Sequence, residues 1–257
     1  MRRLRRHARY HWRVKPFLLL ATRFEDEAAD DEYAGFLAAG GLTPDQLHRV
    51  RLEARPMPPI TLDDYSGVIV GGSPFNASDP DDTKSAVQHR VERELGTLLT
   101  DVVAQDFPFL GACYGIGLLS SFLDGVVDET WSEAAGPILV GLTPEGETDQ
   151  LFGKLAPRFE AFVGHKEACT VLPSGAVLLA TSENCPVQAF RVGENVYATQ
   201  FHPELTQAGI LTRLRVYHDN GYFEPDAYDD VIAAIHASEV TEPATIMKAF
   251  VQRFIRS

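Results

Sequence analysis

The sequence predicts an α/β fold, with a mostly parallel central sheet, helices on both faces and added antiparallel strands. Three observations carry this. Short apolar runs alternate with helix-like stretches from Val14 to Leu123. A series of short β-like runs with turn signals follows, from Val126 to Gln200. Helical periodicity then returns after Glu204. Alternation of the first kind builds parallel strands joined by crossover helices, while closely spaced strands broken by turns build antiparallel ones.

The elements follow in order. Val14–Ala21 reads as a buried strand, and Glu25–Gly40 as a helix closed by Gly40-Gly41, a C-cap signal. Arg49–Leu52 is a weak second strand, and Arg55-Pro56-Met57-Pro58-Pro59 a stiff loop. Gly67–Val70 is a third strand that runs into Gly71-Gly72. Residues 83–103 form a helix, because Val87, Val91, Leu95, Leu98 and Val102 recur at three- and four-residue steps. Phe107–Leu110 is the next strand, and Ile116–Leu123 the next helix. The β-like runs are Ile138–Gly141, Phe159–Val163, Ala176–Ala180, Val187–Val192 and Val196–Gln200. Thr206 caps a helix ending at Asn220-Gly221, and Asp226–Ser238 and Pro243–Ile255 read as two more. One domain over residues 16–257 is expected, with C-terminal helices from about residue 206 and a basic, disordered tail at 1–15.

Composition narrows the function. The 257 residues are 45% hydrophobic and 23% charged, which suits a soluble globular protein. The net charge is −13. Seven of the 23 basic residues fall in positions 1–15, leaving 16 against 36 acidic residues in the rest. Such a chain is not built to bind nucleic acid, where affinity rests on Lys and Arg meeting phosphates. The apolar run Phe17–Ala21 is too short for a signal peptide or a membrane span and is followed by Arg23-Phe24-Glu25-Asp26-Glu27, not by a small-residue cleavage site. Three cysteines, Cys113, Cys169 and Cys185, do not make a disulfide framework. The expectation is a reduced, cytoplasmic setting, with a thiol free to act as nucleophile and the other two cysteines structural.

Chemistry gathers at three strand ends. Gly111-Ala112-Cys113-Tyr114-Gly115 follows a strand and opens a helix, the arrangement of a nucleophile elbow. The tight turn needs small neighbours, which Gly111 and Gly115 supply. The helix start sets positive dipole and free N–H groups beside the sulfur, and the Tyr114 N–H is placed to stabilise an oxyanion. A buried cysteine between packing glycines is the plain alternative. The second strand end is Gln200-Phe201-His202-Pro203-Glu204. His202 suits a base and Glu204 suits the group that fixes its tautomer. The alternatives are a surface histidine, or a metal site built from His202, Glu204 and another His. The third is Gly71-Gly72, where bare backbone lets a ligand approach closely and the Gly72 N–H offers a second oxyanion donor. A simple tight turn is its bland reading.

The combination of Gly111–Gly115 with Phe201–Glu204 resembles the class I glutamine amidotransferases, and within them the stand-alone proteins similar to the glutaminase domain of GMP synthase. The resemblance runs from about Pro16 to Leu205 and implies a flavodoxin-like fold. It implies Cys113 as nucleophile, His202 as general base and acid, Glu204 as its orienting partner, and Gly72 and Tyr114 as oxyanion donors. Gly164-His165-Lys166-Glu167 is similar to the family's His-Gly-Asp segment, which lines the glutamine pocket and implicates His165. One departure stands out. The family's elbow continues Gly-x-Gln, and the Gln helps hold the substrate; here that residue is Gly117. The expectation is a roomier pocket with one polar contact fewer.

The expected reaction is hydrolysis of the γ-carboxamide of glutamine through a Cys thioester, with no metal or organic cofactor. The sequence does not name the ammonia acceptor; a separate synthase subunit is one partner the reading allows. The first rival is a γ-glutamyl peptidase using the same triad on larger γ-glutamyl amides. The second is a non-catalytic binding or regulatory protein on the same fold. The C-terminal helices are read either as packing elements or as a dimer surface.

Overall fold

The computed structural model describes residues 14–221 and 225–256. The basic segment expected as a tail lies outside the described residues up to position 13. Lys15 lies inside them, its N–H donating to the Arg256 carbonyl at 2.8 Å and its Nζ to the Asp63 carbonyl at 2.5 Å.

Five strands build the parallel half of a nine-stranded sheet: β1 (Phe17–Ala21), β2 (Leu47–Arg51), β3 (Gly67–Val70), β4 (Phe109–Ala112) and β11 (Val196–Thr199), in the order β2-β1-β3-β4-β11. Every residue of β1, β3, β4 and β11 is buried, as strands covered on both faces require. Side chains alternate between the faces. Leu18, Leu20, Val68 and Val70 pack with Val91, Leu95, Leu98 and Val102 of helix α2 (Ala86–Ala104). Phe17, Leu19 and Ile69 pack with Phe36 of α1 (Asp26–Gly40) and with Ile246, Met247 and Phe250 of α7 (Ala244–Phe254). Each such side chain contributes about 1.5–3 kcal/mol by leaving water.

The antiparallel half continues the sheet as β11-β10-β9-β6-β7, with β6 (Glu133–Leu142), β7 (Arg158–His165), β9 (Val177–Ser182) and β10 (Ala189–Val192). Strand β6 runs five residues further back than its apolar part, because Glu133, Ala134, Ala135, Gly136 and Pro137 carry no strong β signal. A separate two-stranded sheet pairs β5 (Val126–Asp128) with β8 (Ala168–Val171), and a short helix α4 spans Pro144–Thr148. These pieces are too short for periodicity to mark.

Helix boundaries follow their caps. Gly41 ends α1 with φ 63° and its N–H on the Ala38 carbonyl. Ser85 caps α2 by accepting the Gln88 N–H, so this helix begins three residues later than its apolar stripe suggests. Helix α3 (Tyr114–Phe122) begins directly after Cys113, two residues earlier than expected. Thr206 caps α5 (Gln207–Val216), which ends before a 3₁₀ turn closed by Gly221 at φ 71°. Helix α6 spans Tyr228–Ala237. Ile210 and Leu214 of α5 and Ile235 of α6 close a third apolar cluster with Phe162 and Leu205. The C-terminal helices are thus packing elements of the domain. Among the described residues no helix is long and apolar enough to cross a membrane.

Candidate active site

The carboxyl ends of β3, β4 and β11 bring the three sequence signals to one edge of the sheet. Cys113 leaves β4 with φ 54° and ψ −97°, outside the regions a side chain favours. The surroundings hold it there. Its N–H donates to the Thr199 carbonyl at 2.8 Å. A Cβ on Gly111 would lie 2.8 Å from the Gly115 backbone, and one on Gly115 3.1 Å from the Val70 carbonyl oxygen. Both glycines are therefore steric requirements of the elbow. Tyr114, the first residue of α3, has no carbonyl within its helix to receive its N–H.

The half-buried Cys113 thiol is pushed up to about 12, because burial penalises the thiolate. Arg23 and Arg213 pull against that shift, while Glu167 and Glu204 add to it.

His202 is set by a turn in which its own N–H donates to Phe162 O at 3.1 Å and the Thr199 hydroxyl to Phe201 O at 2.8 Å. Its Nδ1 lies 2.9 Å from Glu204 Oε1 and 3.0 Å from Arg213 Nη1. One nitrogen cannot both donate to the carboxylate and accept from the guanidinium. Glu204 only accepts, and Arg213 already gives it a 2.8 Å hydrogen bond from Nη2. The Nδ1–H therefore belongs to Glu204, which leaves Nε2 as the basic nitrogen. Burial lowers the His202 pKa, Glu204 opposes that, and Arg213 and Arg23 reinforce it. Glu204 is held well below the carboxylate range: burial raises it, but His202 and Arg213 outweigh the burial.

The glycine pair departs from expectation. The Gly72 N–H donates to Glu32 Oε1 at 3.1 Å and is not free for an oxyanion, which corrects its reading as a ready donor. A buried carboxylate takes it, because Glu32 is already fixed there by Arg23 Nε at 2.9 Å. The Gly71 N–H goes to Leu20 O at 3.2 Å, and a Cβ on Gly71 would strike the Glu32 carboxylate at 2.6 Å. Gly71 thus makes room for Glu32. A Cβ on Gly72 would lie 2.7 Å from His202 Cε1 and 2.6 Å from Arg23 Nη2, so bare backbone here makes room for the histidine.

His165 lines a cavity shared with Cys113, and both of its ring nitrogens are already engaged. Its Nδ1 lies 2.9 Å from Glu167 O and its Nε2 2.9 Å from Glu133 Oε2, tying β7 to β6. Glu133, His165 and Cys185 bring their ligand atoms within 4.8 Å of one another. Glu133 Oε2 also accepts from Gln188 Nε2 at 2.6 Å, and Oε1 from Ser182 Oγ at 3.3 Å, so the cluster reads as a satisfied polar core. Cys169 and Cys185 are buried, their thiols directed at the Val171 and Val187 carbonyls.

Gly117 does not open a roomier pocket. Glu167 Oε1 lies 2.8 Å from where its Cβ would be, so the carboxylate fills the space. Two cavities meet at Ser73, Cys113 and Gly164. One, about 50 Å³, is lined by His202, Arg23, Arg213, Leu205, Ile210, Leu214 and Tyr217. The other, about 10 Å³, is lined by Phe75, Asn76, Tyr114, His165, Lys166, Glu167 and Gln200. A single water needs about 10–15 Å³ on this measure, so the second is tight and the first admits a small group. Arg23, Glu32 and Arg213 line the site and were missed by motif reading, which named Glu167 only as part of the Gly164–Glu167 segment. No sequence signal distinguishes a buried charge from an exposed one.

The model of the class I glutamine amidotransferases matches residues 46–209. A glutamine-hydrolysing GMP synthase subunit from Sulfurisphaera tokodaii is 31% identical over 152 residues, covering 58% of this chain and 73% of that protein. GMP synthase of Thermosipho melanesiensis is 34% identical over 114 residues, covering 44% of this chain but only 21% of that protein. The match thus spans about a fifth of the length of the latter. Among solved structures, a glutamine amidotransferase from Thermotoga maritima superposes with a TM-score of 0.73 at 18% identity, over 95% of this chain and 99% of that one. One from Methylobacillus flagellatus gives 0.71 at 20% identity, over 95% and 96%. At those identities the likeness concerns the fold. The family model covers more than half of the chain and the fold agrees with it: the chain belongs to the class I glutamine amidotransferase family.

Proposed function

We propose that this chain hydrolyses the γ-carboxamide of glutamine through a thioester on Cys113 and supplies ammonia to a separate synthase subunit. The observation that carries the reading is Cys113 on a strained elbow, sharing one cavity with a histidine whose tautomer is fixed by Glu204. In the resting site Cys113 and His202 are both neutral, since burial raises one and lowers the other. His202 Nε2 takes the thiol proton as sulfur attacks the amide carbon. The Tyr114 N–H receives the developing oxyanion; a second donor arises if the Gly72 N–H leaves Glu32. The imidazolium gives its proton to the leaving nitrogen, the C–N bond breaks and ammonia departs. His202 then takes a proton from water, which attacks the thioester; the C–S bond breaks, glutamate is released and the imidazolium returns its proton to the Cys113 sulfur. Arg213 and Arg23 lower the cost of forming the thiolate.

One observation favours a second reading. The cavity beside His202 is the larger, and Leu205, Ile210 and Leu214 make part of its wall apolar. A γ-glutamyl amide with a small apolar amine would place that amine there, which is the γ-glutamyl peptidase reaction. Glutamate release from purified protein, given glutamine or γ-glutamyl amides of increasing size, separates the two. Release from glutamine, lost in Cys113→Ala, supports the first; release from the larger amides alone supports the second. Release undiminished in Cys113→Ala would sink both.

A further inference from the structure

Of the two N–H groups expected to meet an oxyanion, that of Gly72 is spent on Glu32. Freeing it is not a local change. Glu32 Oε1 also accepts from Arg23 Nε at 2.9 Å, and the Thr22 hydroxyl donates to the Gly72 carbonyl at 3.4 Å. The next residue offers another donor. Val70 lies opposite Gly111 where β3 pairs with β4, so Ser73, three residues on, comes level with the Cys113–Tyr114 elbow one strand over. Ser73 is buried, and with Cys113 and Gly164 it belongs to the walls of both cavities that meet at the sulfur. Its Oγ accepts the Phe75 N–H at 3.0 Å. A hydroxyl has a proton to give besides its lone pairs, and among the described residues this one donates to no group. The turn that holds it is braced. The Phe75 ring packs between those of Phe24 and Tyr114, with centroids 5.5 and 6.2 Å away. A donor fixed in this way needs no rearrangement when charge develops beside it.

We propose that Ser73 is a further catalytic residue, whose side-chain hydroxyl joins the Tyr114 N–H in holding the oxyanion formed when Cys113 attacks. This rests on the acyl-transfer reading of Cys113. As the C–S bond forms, the carbonyl π pair moves onto oxygen, and the two donors hold that charge. When the C–N bond breaks the pair returns, and the hydroxyl keeps its proton throughout. The same donor serves the second tetrahedral intermediate, formed when water adds to the thioester. Because it works without moving Glu32, the Gly72 N–H stays where the fold uses it.

The test compares the full chain as wild type, Ser73→Ala and Ser73→Thr. Each is assayed for glutamate release from glutamine and γ-glutamyl amides, for inhibition by L-glutamate γ-semialdehyde, and for alkylation of Cys113 by iodoacetamide. The aldehyde adds to the thiol as a hemithioacetal, whose oxygen takes the oxyanion position. Ser73→Ala is expected to lower kcat about 10²-fold and to raise the aldehyde Ki by a similar factor, with KM changed by less than about twofold. Ser73→Thr, which restores a hydroxyl, recovers the greater part of both. Iodoacetamide reacts by displacement and forms no oxyanion, so its rate stays close to that of the wild type. A merely structural role in the Phe75 turn would instead move KM and the alkylation rate together, and that result overturns the assignment. Unchanged kcat and Ki in Ser73→Ala also overturn it, and leave the acyl-transfer reading standing on backbone donors alone. A wild type that takes iodoacetamide but neither cleaves any γ-glutamyl amide nor binds the aldehyde overturns that reading and the assignment with it.

Discussion

The two sides of Cys113 differ in how their charges are paired. Toward His202 stand Arg23 and Arg213, each buried against a carboxylate, around the larger and more apolar cavity. Toward Gly117 stands Glu167, held by the Ala77 and Ser78 N–H groups and the Ser78 side chain, in a cavity with barely room for a water. Arg23 and Arg213 favour the thiolate, whereas Glu204 on the same side and Glu167 on the other oppose it. The cavity that holds His202 is the one with room for a small group.

Removing the atom between the two sides has the largest effect. Cys113→Ala is expected to lower glutamate release by roughly 10⁴-fold or more, measured with glutamine at saturation. Glu204→Gln turns an acceptor into a mixed donor and acceptor beside Nδ1. It should cost about 10²–10⁴-fold in kcat with KM little changed; a KM effect alone would move Glu204 out of its orienting role. On the arginine side, Glu32→Ala strips Arg23 of its partner in a buried setting and should destabilise the fold by about 3–5 kcal/mol. Thermal unfolding checks that, and an unchanged Tm contradicts it. Gly72→Ala drives a methyl into the His202 ring and should lower kcat by about 10²-fold without loss of Tm. The smallest effect is in pH. Arg213 holds the His202 pKa down, so Arg213→Met raises it, and the acid limb of the kcat/KM profile moves to higher pH. The Cys113 thiol loses a cation in the same variant, so its limb moves up too. A profile that stays put would deny Arg213 any electrostatic part.

Strand alternation and helical stripes made most of the parallel half of the sheet legible, because β1, β3, β4 and β11 are fully buried and α2 keeps one clean face, whereas the edge strand β2, Leu-His-Arg-Val-Arg, is only weakly marked. The elbow was legible for a steric reason: Gly111 and Gly115 are glycine because backbone crowds both positions. His202 and Glu204 were legible as a pair because only Pro203 separates them, and it stiffens the turn that presents both. The environment of those residues was not. Glu32 lies on α1, Arg213 on α5 and Glu167 after β7, and only folding brings them to Cys113. Motif reading took the glycine pair as a ligand-facing backbone, whereas one glycine seats Glu32 and the other His202. It also took Gly117 as empty space, since nothing in the sequence ties residue 117 to residue 167.

The most direct measurement is the mass of acid-quenched protein taken during turnover of glutamine, followed by peptide mapping. The account predicts one γ-glutamyl group on the peptide containing Cys113 and none in Cys113→Ala. An adduct on Cys169 or Cys185 instead, or full glutamate release by Cys113→Ala, would contradict it.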